Sequence, residues 1–311
     1  MATAVDLAQV TYWAPDIELM ERFLTAFGMI KADGSDSETL YMRGLGTQHH
    51  IHVTRRRDTQ KFGGVSIEMA SMADLHELAA MDGSGAVQES TEPGGGHEVV
   101  MHTPDGIEIK AIWGRARVEP IHDRHAHQFN NIEHKARLHD SVRAPKGPAS
   151  IARLGHFVLH VSDHDATMAW FKARFNWLDS DYFLPPGQDG PVIGTFVRLD
   201  LGEQMVDHHF ALIIQSDWVG IHHSAFEVID LDAVMASHDF LVDEGWASDV
   251  GVGRHLLGSQ VFDYWKDPFG FRIEHYTDGD VVDAGHQPTM FNGTASDTTQ
   301  WGNRPPLEFF Q

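Results

Sequence analysis

Three residues in the second half of the chain are of the types that hold a catalytic metal: His156, His223 and Glu274. Two imidazoles and one carboxylate on one face of an ion leave three coordination positions open. That is the arrangement of non-haem Fe(II) oxygenases, and it can hold a bidentate substrate and oxygen together. His156 and His223 are 67 residues apart and Glu274 follows 51 later, too far for a local motif. The three can meet only if the strands carrying them curl into one open barrel. The first half of the chain supplies an internal control. Gln9 stands where the second half has His156, Gly64 or Val65 stands against His223 depending on the loop gap, and Lys110 stands against Glu274. A protonated lysine has no lone pair to offer. The first half therefore reads as scaffold and the second as the working half.

The elements that must position these residues come from a chain that repeats itself. Leu7-Ala8-Gln9-Val10-Thr11-Tyr12-Trp13-Ala14-Pro15-Asp16 parallels Leu154-Gly155-His156-Phe157-Val158-Leu159-His160-Val161-Ser162-Asp163 at an offset of 147 residues. A helix-like stretch follows each, over 17–27 and 166–175, with Gly28 ending the first. Thr103-Pro104-Asp105-Gly106-Ile107-Glu108-Ile109 likewise parallels Asp267-Pro268-Phe269-Gly270-Phe271-Arg272-Ile273, a Pro-x-Gly turn feeding an alternating run. Within each half a finer unit recurs: a strand, a short helix, then further strands. In the second half, 155–161, the helix after Asp163, 194–201 and 208–215 form one unit. Residues 224–228, the helix 231–244, 261–265 and 271–276 form the next. The reading is an α+β chain of four βαβββ modules paired into two open-barrel domains. It divides into a metal-free domain over 1–113, a connector over 114–150 with at most a short helix, a metal-binding domain over 151–280, and a tail over 281–311 lying on a domain surface.

Composition narrows the partners. A length of 311 residues predicts about two domains. With 45 Asp and Glu against 23 Lys and Arg the formal charge is −22, which repels phosphate backbones, so no nucleic-acid partner is expected. The absence of cysteine excludes disulfides, thiolate metal sites and cysteine nucleophiles. The first twenty residues carry Asp6, Asp16 and Glu18 and lack the pattern of a signal peptide, and no apolar run is long enough to span a membrane. A cytoplasmic protein without a membrane partner is expected. The 22 histidines raise the prior for metal chemistry without saying which of them matter. His122, His125, His127, His134 and His139 lack the cysteines and spacing of a closed zinc site. His97 and His102 read as surface or interdomain groups, and Trp170, Phe171 and Phe175 as core.

Gly155-His156-Phe157-Val158, Ile221-His222-His223-Ser224-Ala225-Phe226 and Asp267-Pro268-Phe269-Gly270-Phe271-Arg272-Ile273-Glu274-His275-Tyr276 resemble the three metal-ligand motifs of two-domain extradiol ring-cleaving dioxygenases. These belong to the vicinal oxygen chelate superfamily, with the glyoxalases and resistance proteins. The resemblance runs from the first module to Asp280. It implies insertion of both atoms of O2 into a catechol-type diol next to its hydroxyls, with Fe(II) held by His156, His223 and Glu274. Mn(II) is compatible with the same donors. Asp207-His208-His209-Phe210-Ala211-Leu212 resembles the segment bearing the acid–base histidine. Its spacing favours His208; a one-residue gap selects His209, and in a strand the two point to opposite faces. Gly253-Arg254-His255 resembles the element whose histidine hydrogen-bonds substrate, and Tyr264 the tyrosine beside the catecholic oxygen. His222 and Tyr276 adjoin these motifs and are expected around the ligands. Val158, Leu256 and Leu257 stand where some relatives have polar residues, which suits an alkyl- or aryl-substituted ring. The connector and the Asp-His-His-Phe-Ala-Leu segment resemble the branch acting on substituted catechols and trihydroxytoluene, including 2,4,5-trihydroxytoluene oxygenases, more than the biphenyl-diol branch. A homo-oligomer is the implied assembly.

Two other classes share the fold. A glyoxalase-type isomerase or hydrolase would use the same metal cradle without O2 and without His208, His255 and Tyr264 in this arrangement. A metal-free protein that binds small aromatics would have no use for the retained triad. Fold alone does not separate them.

Overall fold

In the computed structural model, which describes residues 1–310, each half starts with the same three pieces: a long buried strand, a capping aspartate and a helix. The first strand, β1 (Ala4–Ala14), leads to α1 (Ile17–Phe27) through Asp16, whose carboxylate accepts the Leu19 N–H at 2.9 Å. In the second half Asp163 does the same for the Ala166 N–H, also at 2.9 Å. Each cap satisfies a donor that the first helical turn leaves orphaned and contributes about 1 kcal/mol. α1 buries Ile17, Met20, Phe23, Leu24 and Phe27 along one face and stops at Gly28, whose φ of +120° suits a residue without Cβ.

The remaining strands complete four modules. β2 (Ile30–Lys31), β3 (Thr39–Arg43) and β4 (His52–Arg56) finish the first. The second consists of β5 (Lys61–Met69), α2 (Met72–Ala79), β6 (Gln88–Glu89), β7 (His97–His102) and β8 (Glu108–Trp113). Together they form an eight-stranded sheet in the order β2-β3-β4-β1-β5-β8-β7-β6. The third module is β9 (Ile151–Val161), α3 (His164–Arg174), β10 (Trp177–Phe183), β11 (Gly194–Leu199), the two-residue β12 (Val206–Asp207) and β13 (Ala211–Gln215). The fourth is β14 (Gly220–Val228), α4 (Leu231–Asp243), β15 (Ala247–His255), β16 (Val261–Lys266) and β17 (Arg272–Thr277). In both halves the opening strands of paired modules run antiparallel, β1 with β5 and β9 with β14, and each is flanked by a parallel strand of its own module. β9 and β14 are buried almost throughout, as strands covered on both faces are.

The tail differs from the expectation of a segment lying on a surface. β18 (Val281–Val282) pairs with β12, β19 (Thr289–Phe291) pairs with β10, and β20 (Thr299–Gly302), entered from a 3-10 turn at Ala295–Thr298, pairs with β15. It thus supplies both edges of a ten-stranded sheet, β19-β10-β11-β13-β9-β14-β17-β16-β15-β20. Exposed edges are unstable ends of a sheet, and a polar segment with backbone donors to spare covers them without an apolar signature. The connector contains an isolated bridge between Asn130 and Lys135 and, among the described residues, no helix. Arg124 clips it to Asp230, the cap of α4, through two bonds of 2.6 and 2.7 Å.

One hydrophobic core runs through both halves, from Ala2 to Ile273. Phe27 of α1 stacks on His275 with ring centroids 3.6 Å apart, and the His275 ring donates to the Phe27 carbonyl at 2.7 Å. The Tyr12 hydroxyl meets Ser224 Oγ at 3.1 Å. The first half therefore braces the strands that carry His223 and Glu274. Among the described residues no helix is long and apolar enough to cross a membrane.

Candidate metal centre and its pocket

The ladder of three adjacent strands brings the triad together. Ala225 of β14 lies opposite both His156 of β9 and Glu274 of β17. His223 precedes Ala225 by two, so all three side chains share one face of the sheet. The His156 and His223 Nε2 atoms each lie 3.2 Å from Glu274 Oε2 and 3.3 Å from one another. Their side chains are 2%, 4% and 0% exposed. Both oxygens of Glu274 lack a hydrogen-bond partner of good geometry, although they are buried. A buried carboxylate left this way is costly unless a cation serves it, so the donor set and its orphaned oxygens fit a metal ion. Burial opposes ionisation of Glu274, yet His156 and His223 outweigh it and hold the carboxyl well below its ordinary range. Burial pushes His223 down to about 4, which keeps the imidazole neutral and its lone pair available.

The glycine before the first ligand has a steric reason. A Cβ at Gly155 would overlap the Tyr276 hydroxyl, whose ring packs 5.1 Å from His156. Tyr276 thus backs the first ligand rather than lining the pocket. His222 sits behind the second ligand: its Nδ1 lies 2.6 Å from His223 Nδ1 and its Nε2 lies 2.7 Å from the Phe309 carbonyl. The same Nε2 faces Arg272 Nη1 at 2.5 Å, so His222 is held from two sides behind His223.

The same ladder in the first half resolves the open alternative. Ser66 faces both Gln9 and Lys110, and Gly64 faces Thr11, so Gly64 is the counterpart of His223. In place of a metal, the first half buries Glu92. Gln9 Nε2 donates to it at 2.9 Å, Arg55 and Arg115 at 2.7 and 2.9 Å, and the Lys110 ammonium lies 3.6 Å away.

Beside the triad lies a pocket with about 400 Å3 of empty space, part of it open to solvent. His156, His223, His209, His255 and Tyr264 form its polar side. Val158, Leu212, Leu257, Phe183, Phe196 and Phe310 form an apolar wall, with Thr298 at its edge. His255 Nε2 and the Tyr264 hydroxyl are 2.9 Å apart, and Tyr264 pairs with Glu274 across the β16–β17 ladder. Burial raises the Tyr264 phenol well above its ordinary value, so it stays protonated and able to donate.

His208, preferred from its spacing, is turned away from this pocket, and His209 faces it. The strand expected over 208–215 begins only at Ala211, and the two histidines occupy the bend between β12 and β13. There the His208 N–H is held by the Asp280 carbonyl at 2.9 Å and its ring points to Asp181. The His209 ring packs 4.5 Å from His156 and 4.3 Å from Phe196, and burial keeps it well below its ordinary pKa. Arg254 also lies outside the pocket. Its guanidinium bonds the Ser259 carbonyl at 2.5 Å and Asp278 at 2.6 Å, tying the loop that carries Leu257 to the end of the strand that carries Glu274. In the connector, His127 Nδ1 lies 2.8 Å from Asp232, where Arg124 already neutralises neighbouring Asp230.

Residues 153–275 match the Glyoxalase/Bleomycin resistance protein/Dioxygenase superfamily. This span is a domain of that superfamily. Over 307 residues the chain is 25% identical to Metapyrocatechase 2 of Cupriavidus necator, covering 95% of this chain and 88% of that protein. The Mn(II)-bound glyoxalase of Novosphingobium aromaticivorans superposes with a TM-score of 0.80 at 20% identity, covering 99% of this chain and 94% of that one. Homoprotocatechuate 2,3-dioxygenase of Arthrobacter globiformis also gives 0.80, at 19% identity over 99% of this chain and 90% of that one. The two structures share their backbone with this chain equally well, so the side chains around the pocket must separate the chemistries.

Proposed function

We propose that the protein is an Fe(II)-dependent extradiol dioxygenase, inserting both atoms of O2 into a catechol-type diol next to its hydroxyls. The observation that carries this reading is the meeting of His209, His255 and Tyr264 with His156 and His223 at one apolar pocket, with Glu274 directly behind the two imidazoles. A metal-dependent isomerase or hydrolase needs the triad but not three further proton-handling groups beside it. The relation to Metapyrocatechase 2 along nearly the whole chain points the same way.

Fe(II), when bound, supplies Lewis acidity toward a catechol hydroxyl and open positions where diol and O2 meet. Mn(II) fits the same donors. The chain's own residues do the rest. Tyr264 donates to the bound diol oxygen, and His255 beside it takes or gives the second hydrogen bond. His209, neutral through burial, accepts a proton from the substrate side and returns it; a positioned acid–base group of this kind contributes about 10²–10⁴-fold. Val158, Leu257, Phe196 and Phe310 hold the ring by its faces and exclude water, which favours an alkyl-substituted or otherwise hydrophobic catechol or trihydroxybenzene. On this reading 1–113 is scaffold, 151–280 the catalytic domain, and the tail after 280 completes it rather than merely covering it. The protein is then a cytoplasmic enzyme of aromatic degradation, working as a homo-oligomer.

The test is oxygen uptake by anaerobically purified, Fe(II)-loaded protein with a panel of catechols and trihydroxybenzenes. Stoichiometric uptake with a yellow ring-opened product is expected. Bound iron with no uptake, together with turnover of a glyoxalase substrate under nitrogen, would overturn it in favour of the isomerase. His223→Ala is expected to lose both the metal and turnover; full activity in that variant would remove the ligand assignment.

A further inference from the structure

The bend that turns His208 from the pocket places it between His209 and a carboxylate. His208 Nε2 lies 2.9 Å from Asp181 Oδ2, and His208 Nδ1 lies 3.1 Å from His209 Nδ1. Asp181 is itself fixed: its other oxygen accepts the backbone N–H of Thr289 at 2.8 Å and the Thr289 hydroxyl at 2.5 Å. All three members are buried, at 3–4% exposure. Gly258 closes over the junction, where a Cβ would lie 3.1 and 3.2 Å from the two Nδ1 atoms. Its φ of +76° already excludes other residues at low cost.

We infer that His208 is a positioning residue, and that Asp181–His208 sets the tautomer and orientation of His209. A carboxylate already accepting two hydrogen bonds from Thr289 is an acceptor toward His208 as well, so His208 directs an N–H at it from Nε2, and in the neutral ring this is its one proton. Its Nδ1 then has a lone pair and can only accept, which places the His209 proton on Nδ1. His209 is left with a bare Nε2, the form that takes a proton in the pocket. The carboxyl of Asp181 is held below its ordinary range: burial opposes this, and the bonds from His208 and Thr289 outweigh it. The Phe309 carbonyl, His222 and His223 also line up behind the triad, there with Arg272 joining at His222 Nε2. Both chains end in residues from the C-terminal tail, Thr289 in one and Phe309 in the other.

The role of His209 as acid–base group rests on the reading proposed above; its tautomer does not, and is read in the metal-free protein. Ring-nitrogen NMR of 15N-histidine-labelled protein, with the His209 signals assigned by their loss in His209→Gln, is expected to show an Nδ1–H tautomer. Asp181→Asn should convert it at least partly to the Nε2–H form. Should Asp181→Asn fail to fold, His208→Asn and His208→Phe decide the question. The asparagine carbonyl can still accept from His209 Nδ1–H, so it should preserve the tautomer, and in the Fe(II) enzyme most of kcat. The phenylalanine should lose the tautomer and lower kcat about tenfold or more, with KM little changed. An Nε2–H tautomer in the wild type, or equal kcat in the Asn and Phe variants, overturns the relay. The expected tautomers in a protein that consumes no oxygen would leave the relay standing and remove the dioxygenase reading.

Discussion

At the scale of single residues, the site is specified by what cannot be changed around it. Gly155 precedes His156 because the Tyr276 ring occupies the space a side chain would need. Gly155→Ala must displace the Tyr276 ring that packs on His156, and overpacking of this kind costs about 1–3 kcal/mol. The expected outcome is a lower urea midpoint with an unchanged m-value, together with weaker metal binding by the folded protein. An unaltered midpoint would show that Tyr276 yields freely. The pocket wall offers a second test. Phe310 lies against the substrate space and the His222 ring. Phe310→Ala is expected to raise KM for alkyl-substituted catechols more than for catechol itself, with kcat less affected, measured by oxygen uptake. The meeting of His156, His223 and Glu274 was legible in the sequence, because each sits in its own motif and the first half of the chain lacks those residue types at the matching positions. His208 against His209 was not legible. Their facing depends on a bend set by the Asp280 carbonyl, 72 residues away, and a local pattern carries no trace of that bond.

At the scale of elements, the two sheets show what a duplicated frame does with a position it no longer uses for metal. In the second half three strands aim a carboxylate and two imidazoles at one point. In the first half, Gln9 and Lys110 on the equivalent strands reach Glu92, which comes from the loop before β7. A buried anion surrounded by Arg55, Arg115 and Lys110 replaces a cation surrounded by donors. Burial opposes the charge on Glu92, and His50, Lys110 and Arg115 outweigh it, holding the carboxyl well below its ordinary 4.5. A folded-state value below the unfolded one gives stability that is fully present above pH 4.5 and lost as the pH falls through the lower folded value. Glu92→Gln is therefore expected to cost about 3–5 kcal/mol at pH 7, by leaving the cations uncompensated. It should also flatten the loss of stability below pH 4.5 in acid titrations followed by circular dichroism. A variant as stable as the wild type at pH 7 would mean that water, rather than Glu92, serves these cations. The repeat and the module order were readable from periodicity and turn signals. Glu92 was not, since it lies outside every repeated motif, and neither was the tail. β18, β19 and β20 are short edge strands of mixed polarity, held by backbone hydrogen bonds that composition does not reveal.

At the scale of the whole molecule, the question is whether scaffold and working half behave as one body. The sequence suggests two domains of common ancestry, and such pairs often unfold separately. The structure joins them more closely than a linker would. A single core passes from one sheet to the other, and Phe27 of the scaffold stacks on His275, the residue after the carboxylate ligand. The tail in turn fastens both edges of the working sheet. Metal binding should therefore stabilise the entire chain rather than its second half alone. Differential scanning calorimetry of the metal-free protein is expected to show one transition, and addition of Mn(II), used as a stable probe, should move that whole transition upward. At a free metal concentration about 100 times Kd the gain is about 2.7 kcal/mol, which corresponds to a shift of roughly 5 °C for a chain of this size. His223→Ala should show the same single transition without the metal-dependent shift. Two separate transitions, of which metal moves only one, would mean that the shared core does not couple the halves. An unmoved single transition would mean that the buried triad does not bind the ion.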